Sequence, residues 1–272
     1  MSTGPTGGRR RTRLRVAAEG VRTRPPKHLR DRVDPELVAL TAEPYTTVEG
    51  TDERLRALRA AFERRGDRRA LFLSVYSRMT GAVAKRVERG EFEDPEWVSA
   101  YLVAFANLYR EAVHAYEIGD AGALADAWLL AFDAAERGDC LVVQDTALGV
   151  NAHINYDLAL ALDRVGIGPN RARKFADHAA VTEVIRNVLD ETQEALADRG
   201  APGLETVDES LGSFDERFLV FTVDQCRDSA WRTAVALRSR FSLRRRLARW
   251  LNDVTSTGVA RLILTSRANE RL

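Results

Sequence analysis

The stretch Asp145-Thr-Ala-Leu-Gly-Val-Asn-Ala-His-Ile-Asn-Tyr-Asp-Leu-Ala-Leu-Ala-Leu162 decides the fold. Asp145 and Asp157 are its only charged residues, whereas a helix lying on a protein surface carries one apolar stripe and one charged stripe. The stretch therefore predicts a central helix, running from about Leu141 to Val165 and stopped by Gly166. A central helix needs other helices around it. Its polar residues fall on two lines. At about 100° per residue, His153 and Asp157 lie one turn apart on one face, with the small Gly149 and Ala161 a turn before and a turn after. Gln144, Asn151 and Asn155 gather on the nearly opposite face. A buried polar group without a partner costs roughly 1–3 kcal/mol. This helix is thus the hub of a hydrogen-bond network or the wall of a site.

Outward from it the pattern stays helical. Thr51 or Asp52 can cap a helix that runs to Arg65, and Asp67 opens another that reaches Gly90. Asp94-Pro95-Glu96 joins a cap, a proline at the first helical position and an acid in the first turn, and starts a helix ending near Gly119. A further helix is expected from about Ala121 to Arg137. Beyond the central helix come Arg171 to Ala197, a polar loop from Gly200 to Gly212, and helices over Phe214–Arg240, Leu243–Asn252 and Thr257–Leu264. No stretch alternates β-branched and polar residues, and no Asn-Gly or Asp-Gly hairpin turn occurs. Short connections between residues 66 and 170 favour antiparallel neighbours. The expected fold is all-α: one bundle-like domain of roughly eight helices over residues 34–272, behind an arm over residues 1–33.

Composition agrees. In 272 residues, 45% are apolar and 30% charged, enough for a substantial core. The formal net charge of +1 conceals an uneven distribution. Residues 1–32 hold ten basic and two acidic residues, a net of +8, which leaves −7 for the rest. That arm has glycine and proline but no aromatic residue, so it is expected to be disordered. It could contact nucleic acid or anionic membrane. Phe241 to Leu251 is a second arginine-rich segment, with Leu243, Leu247, Trp250 and Leu251 on one face and Arg244, Arg245, Arg246 and Arg249 over much of the rest. The longest uncharged stretch, Trp97–Tyr109, is too short to cross a bilayer. No secretory signal is visible, and two cysteines without a CxxC spacing fit a reducing compartment, so a soluble cytoplasmic protein is expected.

The chemistry-bearing residues point to a metal. Glu111-Ala-Val-His114 places a carboxylate and an imidazole on one helix face, which is half of a di-metal site of the kind built in helical bundles. With His153, Asp157 and His178 they make a candidate site for a divalent zinc, iron or manganese ion. Such an ion could activate water for hydrolysis of a small molecule, with Asn151, Asn155 and Asp145 as catalytic or substrate-orienting candidates. Two other functions fit. In one, the polar residues specify the core of a non-catalytic module. In the other, the protein associates with membrane or nucleic acid through its arginine-rich segments.

Leu148-Gly-Val-Asn-Ala-His-Ile-Asn-Tyr-Asp-Leu158 resembles the hallmark of an all-helical family of unknown function from bacteria and archaea, Gly-x-Asn-Ala-His-Ile-Asn-x-Asp-Leu. Glu43–Val48, Arg68–Thr80 and Trp231–Leu237 are similar to other segments of that family, and the resemblance covers about residues 34–265. It implies an all-α domain and no settled activity, substrate or cofactor. Family members often carry an Asp-Phe pair where this chain has Asp177-His178, which weighs against His178 as an essential ligand.

Overall fold

A computed structural model of the chain describes residues 33–120, 122–199 and 223–265. Among these residues there are nine helices and no strand, as the all-α expectation requires. The basic arm, Val33 excepted, the polar loop over 200–212 and the start of the helix expected from Phe214 lie outside the described residues. The helices are α1 (Pro35–Ala42), α2 (Val48–Arg64), α3 (Arg69–Glu88), α4 (Pro95–Glu117), α5 (Asp126–Arg137), α6, α7 (Arg171–Arg199), α8 (Val223–Leu237) and α9 (Ser242–Thr265). Helix α6 is composite: an α-helical stretch Val142–Asn151, a π-helical turn Ala152–Asp157, and a second α-helical stretch Leu158–Val165.

Several boundaries differ from expectation, each for a local reason. Helix α1 was not expected. It begins with Asp34-Pro35-Glu36, the same arrangement as Asp94-Pro95-Glu96, and the Asp34 carboxylate accepts the N–H groups of Glu36 and Leu37. Helix α2 starts at Val48 because Thr47 is its cap, accepting from Gly50 N–H at 3.0 Å. Helix α5 starts at Asp126 rather than near Ala121. Helix α9 is continuous where two helices were expected. The polar run that suggested a break contains Asn252, Ser256 and Thr257, all buried against the body.

The core has two lobes, and α6 threads both. Leu148 and Ala152 pack with Leu58, Phe62, Phe72, Tyr109 and Trp128 in the first. Leu158, Ala159 and Leu162 pack with Trp97, Val98, Val184 and Trp231 in the second. The π-turn lies where the helix passes from one lobe to the other. Its amide face, expected to be a network hub, docks on α9. Gln144 donates to the Ile263 carbonyl at 2.8 Å, Asn151 to that of Ser256 at 2.9 Å, and Asn252 of α9 donates back to that of Tyr156 at 2.9 Å. Asn155 donates to Asn151 at 2.9 Å. These bonds satisfy amides that could not otherwise be buried.

Helices α3 and α6 approach closely at Gly149. A methyl group there would lie 2.5 Å from Cγ of Phe72. Gly149→Ala should therefore cost about 1–3 kcal/mol, as overpacking does. At Gly81 of α3 an added methyl meets nothing within 4 Å, so Gly81→Ala should stabilise by about 0.5–1 kcal/mol through helix propensity. Urea unfolding of the two variants checks both signs.

Candidate functional site

His153 and Asp157 lie within the π-turn. The Leu158 N–H reaches back five residues to the His153 carbonyl, so the helix widens there. Both side chains are almost wholly buried. His153 Nδ1 and Asp157 Oδ2 share a proton across 2.9 Å, and Oδ2 also accepts from Trp128 Nε1 at 2.9 Å. The imidazole is caged by rings. Phe105 stacks on it with centroids 3.6 Å apart and planes 9° apart, and Tyr76 meets it nearly perpendicular at 4.5 Å. Phe72, Trp128 and Tyr109 complete the cage at 5.7, 6.0 and 6.1 Å.

Burial sets the protonation. It pushes the Asp157 carboxyl well above the usual carboxylate range, against the Trp128 hydrogen bond that favours the ion. It holds His153 well below the usual imidazole range. The pair therefore carries one shared proton and resists taking a second. Among the described residues, His153 Nε2 has no hydrogen-bond partner.

Beside this pair is a cavity of about 90 Å³. Tyr76 of α3, Phe105 of α4, Val150 and His153 of α6, Val181 of α7 and Val223 of α8 all contribute to its wall, and the surface it presents is apolar. Arg227 of α8 also belongs to the wall. It is almost fully buried and is held by neutral acceptors, with Nε donating to Thr182 Oγ1 at 2.7 Å and Nη2 to the His178 carbonyl at 3.2 Å. His178 Nε2 donates to the Arg227 carbonyl at 3.2 Å, which leaves Nδ1 to accept from the Tyr101 hydroxyl at 3.2 Å. Burial and the neighbouring guanidinium keep His178 neutral.

Of the five residues expected around one ion, only His153 and Asp157 meet. Glu111 is exposed and forms a two-pronged ion pair with Arg164, at 2.9 and 2.7 Å. His114 Nδ1 lies 3.1 Å from Thr41 Oγ1 of α1, and His178 is engaged with Tyr101 and Arg227. Among the described residues, no three His, Cys, Asp or Glu side chains gather as a metal ion requires. The expected convergence is thereby corrected: helical spacing placed Glu111 and His114 on one helix but could not show that each faces a different neighbour. The catalytic candidates are likewise committed elsewhere. Asp145 pairs with Arg68 at 2.7 Å, and Asn151 and Asn155 serve the contact with α9. Trp128 was not among the residues singled out for the site, yet its indole belongs to it. A buried indole N–H needs an acceptor, and that need was the available signal for its bond to Asp157.

Two buried neutral histidines have a consequence for stability. Each has a folded-state pKa below its unfolded value, so the unfolded chain binds more protons as pH drops below about 6.5. Their contribution is present above that pH and is lost as pH falls toward the folded values. Asp157, with its raised pKa, acts oppositely, its contribution fading as pH rises from about 4. Between pH 6.5 and 5 the unfolded chain gains a proton on His153 and has none on Asp157, matching the one proton of the folded pair, so those two contributions cancel. The unfolding free energy should therefore fall over that range by up to about 1.4 kcal/mol per pH unit, through His178. His178→Phe should remove most of that fall, which denaturant titrations at several pH values would read. Beyond the geometry, the chain matches one family profile, over residues 48–266, and no curated protein or solved structure matches it. That span covers most of the chain, including α6 with its His153–Asp157 pair, so the protein belongs to the family of unknown function DUF5995.

Proposed function

We propose that the protein is a binding module for a small apolar molecule, held in the cavity beside His153. In this reading, Asn151, His153, Asn155 and Asp157 fix the walls of the cavity rather than hold a metal ion. The observation that carries it is the cavity itself. A part-enclosed space of about 90 Å³ with an apolar surface leaves its lining side chains without partner atoms on one side, and apolar spaces of this kind accept apolar guests. The surrounding rings cannot collapse into it, because Phe105 is stacked on His153, Phe72 on Tyr76, and His153 is tied to Asp157.

The unpartnered Nε2 favours a second role for His153 within the same site. With the shared proton of the neutral pair held between Asp157 Oδ2 and Nδ1, the ring hydrogen lies on Nε2. A ligand carrying one hydrogen-bond acceptor would meet a donor there.

Xenon or benzene should raise the Tm of the protein, as any ligand selective for the folded state does. Val150→Phe and Val181→Phe, which fill the cavity from two different helices, should abolish that rise while leaving the protein folded. No shift with either guest overturns the binding reading. The donor role has its own check. The ¹⁵N signal of His153 Nε2 should move when a ligand recovered from the purified protein is added back, and a static signal removes that role while leaving the binding reading intact.

A further inference from the structure

The first three turns of α9 present an arrangement that neither core explains. Phe241, Leu243, Leu247, Trp250 and Leu251 are all exposed, Leu243 by 77% and Leu247 by 51%. From 240 to 251 the chain carries Arg240, Arg244, Arg245, Arg246 and Arg249 and no acidic residue. Burial shows how this segment is oriented. Ala248 and Asn252 are its buried positions, with Asn252 bonded to the Tyr156 carbonyl of α6. At about 100° per residue, Leu243, Leu247, Trp250 and Leu251 form a stripe on the side away from that contact. Arg244 and Arg246 flank the stripe on either side. Arg245, turned toward the body, is occupied by the Ser239 carbonyl at 2.8 Å.

We propose that this face docks on the surface of an anionic lipid bilayer, with α9 lying in the plane of the interface. Charge complementarity selects the partner. Outward leucines flanked by arginines suit a surface that is apolar below and negatively charged above. Aliphatic side chains sink to the level of the acyl chains, while arginine stems reach back to the headgroups. A nucleic acid would use the arginines but leave the leucines in water. None of the described helices is long and apolar enough to cross a membrane, so the contact is peripheral.

The test uses the full chain with vesicles of phosphatidylcholine alone or containing phosphatidylserine. Binding should require phosphatidylserine and weaken with salt. Leu243→Ser/Leu247→Ser leaves every charge in place, including those of the arm, and both positions are exposed, so the variant should keep its fold by circular dichroism. It should lose binding by roughly tenfold or more. Trp250 reports the geometry directly, because Trp97, Trp128 and Trp231 are buried and it is the one exposed indole of the four. Brominated lipid should quench its emission. Vesicle binding that is unchanged in the leucine variant assigns the attraction to charge alone and overturns the proposal. So does absence of binding at low salt, or a wild-type dimer that the leucine variant dissociates, which would mean that a second copy covers this face.

Discussion

Between residues 143 and 163 helix α6 has no exposed side chain, so the polar side chains it buries find their partners inside the protein, His153 Nε2 excepted. This constraint organises the rest. The amides on one side require acceptors, and the carbonyls of α9 supply them. The imidazole and carboxylate on the other side require each other and the Trp128 indole. Two lobes of core are thereby held to one helix, and five other helices are placed by what α6 needs. Its partners also explain why the helix can afford so few charges: in a low-dielectric interior a neutral, proton-sharing pair is far less costly than two ions.

Much of this was legible in the sequence. The absence of a charged stripe identified α6 as central, Gly166 marked its end, and the cap and proline at Asp94-Pro95 marked the start of α4. The same cap and proline at Asp34-Pro35 mark the start of α1 as plainly. The division of polar residues into two lines on α6 also held, since the amides do face α9 and His153 does meet Asp157. Periodicity could not reveal which neighbour each line would face. Local spacing states which residues share a side of a helix, while convergence of Glu111, His114 and His178 depends on rotations of whole helices. Arg164, across the interface, drew Glu111 outward, and Thr41 met His114 first. The π-turn left no mark in the pattern, because its residues are as apolar or amide-rich as those of the flanking helix.

The cavity owes one wall to rigidity. Phe72, Tyr76, Tyr101 and Phe105 are each pinned by another ring or by His153, while valine, leucine, isoleucine and methionine side chains make up most of the remaining lining. The pinned rings have few ways to relax into the space. Gly149 contributes from the opposite direction. By lacking a side chain it lets Phe72 press against α6, so the ring meets the imidazole nearly perpendicular at 5.7 Å instead of standing off by a methyl group. The wall of the cavity is thus set by close approach on one side and by a hydrogen-bonded imidazole on the other.

The widened turn at Ala152–Asp157 also governs what lengths of chain are tolerated. It holds one residue more per turn than the helix on either side, so the two halves of α6 are out of step by that residue. Removing one residue within the turn would restore uniform winding and leave the faces of the downstream half nearly where they are. Removing one from the α-helical stretch Val142–Asn151 would instead swing everything beyond it by about 100°. Leu158 and Leu162 would then leave the second lobe and charged Asp163 would rotate toward it. The widened turn is thus where the helix can lose a residue and keep the phase of its second half, at the expense of the positions His153 and Asp157 now hold.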